Sequence, residues 1–154
     1  LRGYAAWLPE DWRIVVVVDR DDDDCRDLKQ RLEAIAQRAG LRSRTRAGGL
    51  SWQLVNRIAI EELEAWYFAD WEAVRVAYPR MPADISHRRG FRDLDAITGG
   101  TWEAFERMMQ GHGYFKGGLA KIEAARAIGA CVDPSRSRSR SFAMFQKALA
   151  EAVT

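Results

Sequence analysis

The chain has 154 residues, of which 47% are hydrophobic and 30% charged, and its formal net charge is +2. That length suits one globular domain, and the composition excludes a disordered or fibrous chain. No run approaches the roughly 20 apolar residues of a membrane helix, and the N-terminus lacks the order of a signal peptide, so a cytoplasmic protein with no membrane contact is expected.

The first eight residues read as the end of a helix, with Leu1, Tyr4, Ala5 and Leu8 on one side and Pro9 closing it. Trp12 to Val18 is a continuous β-branched run, too short for a helix, and reads as a strand buried on both faces and therefore parallel. From Asp22 to Ala39, Leu28, Leu32, Ile35 and Ala39 recur at helical spacing, acidic residues fill the first turn and Gly40 supplies the stop. Strand followed by amphipathic helix is half of a βαβ unit.

Leu41 to Arg46 reads as a short edge strand, Ala47 to Ser51 as a Gly-containing loop, and Trp52 to Ile60 as another strand. A helix is expected over Glu61 to Ala69 and another from Asp70 to Tyr78, ended by Pro79. Pro79 to Gly100 reads as a surface excursion. Thr101 is the expected N-cap of a helix to Gln110, and further helices are expected over Gly118 to Ala130 and Ser141 to Ala152. Pro134 to Ser141 alternates serine with arginine, which reads either as a solvated loop or as a phosphate contact.

Only four of the 24 basic residues, Lys29, Lys116, Lys121 and Lys147, are lysine. The arginine excess suits phosphate or carboxylate recognition, and a codon bias accounts for it equally well. Cys25 and Cys131 lack a disulfide framework and read as reduced thiols. His87 and His112, the only histidines, accompany no cysteine pair, which argues against zinc.

Both apolar strands end in carboxylates: Asp19 and Asp21 to Asp24 follow the first, and Glu61, Glu62 and Glu64 follow the second. Ligands gather beyond the carboxyl ends of parallel strands, and so many like charges call for a hard cation such as Mg2+ or Mn2+. Asp19 and Asp21 can point into one crevice across an extended turn. Glu61 and Glu64, three apart, share a helix face, with Glu64 one turn deeper, and Glu62 points away from it. Against a metal, Asp22 to Asp24 also serve as helix caps, and Glu61 and Glu64 can pair with surface arginines.

Ile-Val-Val-Val-Val-Asp-Arg-Asp at Ile14 to Asp21 resembles the Asp-x-Asp motif of Toprim domains, the metal-binding fold of topoisomerases, primases and several nucleases. That strand resembles, more narrowly, a Toprim-related domain-of-unknown-function family, number 4276. The likeness takes in Asp23 to Cys25, Ile60 to Trp66 with Asp70 after it, Gly117 to Arg126, and Ser139 to Phe142.

The resemblance implies one α/β Toprim-like domain over residues 1–154, with a mostly parallel sheet flanked by helices and a helix-rich C-terminal half. It matches Asp19 and Asp21 to metal-binding aspartates and places Glu64 and Glu61 in the family's Glu-Ala-Trp segment. Relatives of this fold often act as nucleases, some beside an ATPase in defence against phage. A Toprim domain also carries a glutamate on a strand before the Asp-x-Asp strand. Leu1 to Asp11 offers no such strand, so that residue is expected upstream of Leu1, or the chain lacks part of the chemistry.

The leading expectation is a Mg2+- or Mn2+-dependent nuclease. Asp19, Asp21 and Glu64 are its catalytic residues, Glu61 is a further metal ligand, and Lys116, Lys121, Arg138 and Arg140 contact nucleic acid. Nucleic acid, an ATPase and a second copy of the chain are the expected partners. The alternative is a non-catalytic Toprim-like module that binds nucleic acid or a partner ATPase. A receiver-like phosphorylation domain fits less well, because the second strand ends at Glu61 with no phosphorylatable aspartate.

Overall fold

The computed structural model describes residues 1–153 except 49–50, 84, 86–87, 95–96 and 98–99, and the side chain of Arg89. His87 and part of the Gly-containing loop therefore lie outside the described residues. The chain groups into two compact units, Leu1–Ala59 with Met144–Thr154, and Ile60–Ala143.

The first unit carries α1 (Arg2–Ala5), β1 (Ile14–Asp19), α2 (Cys25–Arg38), α3 (Arg44–Ala47) and β2 (Leu54–Ala59). The strands pair in parallel, from Ile14 with Leu54 to Asp19 with Ala59, as the apolar runs predict. Leu54, Val55 and Ala59 are buried, but Ile14 to Val18 are only half-buried, because among the described residues β1 pairs with β2 alone. The expectation that β1 is covered on both faces is thus corrected. Leu1, Ala5, Leu8, Ile14 and Val16 pack on a small core of Ala36, Leu41 and Leu54.

Two further expectations fail in this unit. Leu41 to Arg46 is not a strand: Ser43 makes one bridge to Leu54, and helix α3 starts directly after it. The buried face of α2 is also rotated from the predicted stripe, for it buries Leu28, Glu33 and Ala36 and leaves Ile35 41% exposed. Glu33 turns inward because it finds hydrogen-bond donors there, which offsets the cost of burying a carboxylate.

The second unit carries α4 (Glu64–Ala69), α5 (Trp71–Ala77), a 3-10 turn (Arg89–Phe91), α6 (Thr101–Gly111) and α7 (Lys121–Gly129). α8 (Arg140–Ala152) begins in this unit and continues into residues of the first. The core is aromatic: Phe68 stacks on Trp71 at 5.8 Å between centroids, and Phe105 meets Tyr67 and Phe68 at 5.2 and 5.8 Å. Pro79 to Gly100 is no mere surface excursion, since Met81, Ile85, Leu94 and Ile97 are buried in that core.

Helix starts shift for local reasons. Asp70 caps α5 rather than beginning it, and Gly100 rather than Thr101 precedes α6. Gly100 has φ +80, and a Cβ there would run into the Glu103 carboxylate, so no other residue fits without strain.

Candidate functional site

Asp19 closes β1 and is exposed, and the following Arg20 N–H donates to Ala59 O at 3.0 Å, extending the ladder past the strand. Asp21 sits at φ +49, a left-handed conformation that aspartate tolerates better than most residues. Asp24 caps α2, its Oδ1 accepting Arg26 N–H at 2.9 Å and Asp27 N–H at 3.1 Å. Asp23 pairs with Arg31 on the surface. The turn thus divides its carboxylates, with Asp19 and Asp21 outside the capping arrangement.

The expected face shared by Glu61 and Glu64 does not exist. α4 begins only at Glu64, and Glu61 lies before it at φ +59, so helical phase does not relate the two. Glu62, the lesser candidate, holds a structural place: its Oε2 accepts Thr101 Oγ1–H at 2.7 Å and Trp102 N–H at 2.9 Å, satisfying the open start of α6. Glu64 is 5% exposed and faces Lys121 Nζ at 3.5 Å. That ammonium also lies 4.7 Å from the centroid of the Trp102 ring. Lys116 is exposed in the turn before α7. Among the described residues, no three Asp, Glu, His or Cys side chains gather closely enough to hold a metal ion.

Two of the segments singled out in the sequence meet at Glu64-Ala65-Trp66 in the second unit. Lys121, from the Gly117 to Arg126 segment, reaches Glu64. From the Ser139 to Phe142 segment, Ser141 Oγ accepts Trp66 Nε1–H at 2.8 Å, and Phe142 meets the Trp66 ring edge-on at 5.2 Å. Ser139, just before α8, accepts Phe142 N–H at 3.1 Å and lies 3.0 Å from Ser141 Oγ. Both serines are buried, while Arg138 and Arg140 are exposed. Trp66→Phe keeps the ring contact and removes the indole donor. Its expected cost is about 1 kcal/mol in chemical denaturation, the net worth of a neutral hydrogen bond.

Arg136 escapes sequence reasoning. Its Nε and Nη2 donate to Asp70 Oδ1 at 2.9 Å and Oδ2 at 3.0 Å, the bidentate geometry that suits a guanidinium and a carboxylate. The hydrogen bond to Asp70 holds the Arg136 guanidinium above its ordinary pKa, and Ser135 holds Asp133 below the usual carboxylate range. Arg92 escapes it too, although it lines a cavity of about 350 Å3 with Asp93, Leu94, Arg138 and Arg140. A basic residue after a short turn carries no signal of its own in the sequence.

Fold and site define a mixed α/β protein with a two-stranded parallel sheet whose first strand ends in aspartates. The chain belongs to the family described as Domain of unknown function (DUF4276), whose model matches residues 4–150. No curated protein and no solved structure matches the chain.

Proposed function

We propose that the chain is a Mg2+- or Mn2+-dependent phosphodiester hydrolase of Toprim-like fold that acts on nucleic acid. The observation that supports this reading best is the pair Asp19 and Asp21 at the carboxyl end of β1, with the capping of α2 left to Asp24. Mg2+ takes one or two carboxylates and fills its remaining positions with water and substrate phosphate, so two aspartates match its donor chemistry. When bound, the cation lowers the pKa of a water and neutralises charge on the phosphate.

In this reading Asp19 and Asp21 hold the cation. Within the second unit, Glu64 is a further functional carboxylate, with Lys121 as the counter-charge that offsets its burial. Lys116, Arg138 and Arg140 hold the substrate backbone. The family resemblance extends the reading to an assembly with an ATPase.

Cleavage of single- and double-stranded DNA and RNA with Mn2+ tests this reading. Cleavage by the wild type and its loss in the Asp19→Asn, Asp21→Asn double variant are expected. Metal binding with no cleavage of any substrate would overturn the reading. A second reading, a non-catalytic binding module, is favoured by the finding that the described residues assemble no group of three metal-ligating side chains. Full function of the double variant in its native assembly would select it.

A further inference from the structure

We propose that the cavity lined by Arg92, Arg138 and Arg140 is a binding site for a single phosphomonoester dianion. The site lies within the second unit and needs neither Asp19 nor Asp21; it narrows the role that the hydrolase reading gives Arg138 and Arg140, from a backbone contact to a grip on one terminal phosphate.

The serine-arginine run divides its arginines by role. Arg136 is held by Asp70 and by Asp133, so its guanidinium belongs to the fold. Arg138 and Arg140 have no ion pair among the described residues, and both are exposed at the cavity. Their backbone is tied down on both sides. Arg138 N–H donates to Ala69 O at 3.3 Å, and the alternating residues Ser139 and Ser141 are buried and hydrogen-bonded. Holding side chains on a fixed backbone lowers the entropy lost when a ligand is gripped.

Charge and shape select the ligand. Among the described residues, three guanidinium groups and the Asp93 carboxylate give the lining a charge of +2, which complements a phosphomonoester carrying close to two negative charges at neutral pH. Guanidinium forks match phosphate oxygens in pairs, which lysine ammonium groups do not. The three arginines also line one cavity. A nucleic-acid backbone laid along a surface asks for a strip of cations, whereas a terminal phosphate asks for one pocket.

The source is either the 5′-phosphate end of a polynucleotide or a small phosphorylated molecule. Binding would be measured on the full chain in EDTA, which removes any contribution from a divalent cation and separates this proposal from the hydrolase reading. The probes are a 5′-phosphorylated oligonucleotide, the same oligonucleotide with a 5′-hydroxyl, a nucleoside 5′-monophosphate and inorganic phosphate.

The 5′-phosphorylated oligonucleotide is expected to bind at least about tenfold more tightly than its 5′-hydroxyl form, the worth of one charge-assisted contact. Arg138→Gln with Arg140→Gln, and separately Arg92→Gln, should remove that preference, while Lys147→Gln on the exposed side of α8 leaves it intact. Monophosphate or inorganic phosphate binding as tightly as the oligonucleotide, with the same sensitivity to these variants, would support the site and assign it to a small molecule. Equal affinity for the two oligonucleotides with no arginine-sensitive binding of the monophosphate or of inorganic phosphate, or a preference that survives all three arginine changes, would overturn the proposal.

Discussion

Replacing Asp70 with alanine is expected to destabilise the protein by about 2 kcal/mol, because it removes the buried carboxylate that Arg136 and the Asp133 amide share as acceptor. Asp70 is 3% exposed and receives four donors: both arms of Arg136, Asp133 N–H at 2.8 Å and Ala73 N–H at 3.4 Å. One carboxylate therefore caps α5 and fastens the loop after α7. Without it, the Asp133 amide loses its acceptor and the guanidinium loses its fork partner, while Ala73 N–H keeps the Asp70 backbone carbonyl at 3.1 Å. Arg136→Lys should recover only part of the loss from Arg136→Ala, since an ammonium cannot span both carboxylate oxygens. Urea denaturation of the two single alanine variants and their double variant measures the coupling. An Asp70→Ala protein within about 0.5 kcal/mol of wild type, the range typical of surface changes, would contradict the common-acceptor role.

The Asp70 network shows where sequence reading reaches its limit. Asp70 is legible as a helix start because its side chain suits a cap, which is a local property. Its partner Arg136 stands 66 residues away in the chain, and no spacing rule reaches that far. The same division holds for the strands. Ile14 to Val18 and Leu54 to Ala59 are legible because β-branched runs favour strand geometry, and their parallel pairing follows from the helix between them. Half-burial of β1 is not legible, for it depends on how many strands the sheet contains.

Errors of phase are also tertiary in origin. One helix face for Glu61 and Glu64 requires a helix that starts at Glu61, but the chain passes through a left-handed residue there and turns helical only at Glu64. Glu62, discounted on that same phase, instead caps a helix 40 residues on. The serine-arginine run holds two kinds of residue, buried Ser139 and Ser141 and exposed Arg138 and Arg140. Which kind faces inward depends on the Trp66 indole as an anchor for Ser141.

Glu33 offers the second large effect, and one that depends on pH. Its Oε1 accepts from Asn56 Nδ2 at 2.9 Å and Thr45 Oγ1 at 3.2 Å and lies 3.1 Å from Lys29 Nζ, while Oε2 accepts from Ser43 Oγ. Burial by itself would push the carboxyl up; the hydrogen bonds from Ser43, Asn56 and Lys29, with the charge of Lys29, outweigh it and hold the carboxyl below its ordinary value. Glu33→Gln places an amide N–H2 against these donors and should cost about 3 kcal/mol at neutral pH.

The sign of the pH dependence follows from linkage. Because the native carboxyl sits below its unfolded value, its stabilisation is full above the ordinary glutamate range, about pH 4.3, and is lost as pH falls through the lower native value. The stability difference between wild type and Glu33→Gln should therefore shrink between neutral pH and about pH 3, whatever other carboxylates titrate in both proteins. Denaturation curves of the two proteins across that range measure the difference directly. A gap that stays constant would show that the Glu33 carboxyl titrates alike in the folded and unfolded chain, and that its donors favour the charged form no more than the neutral one.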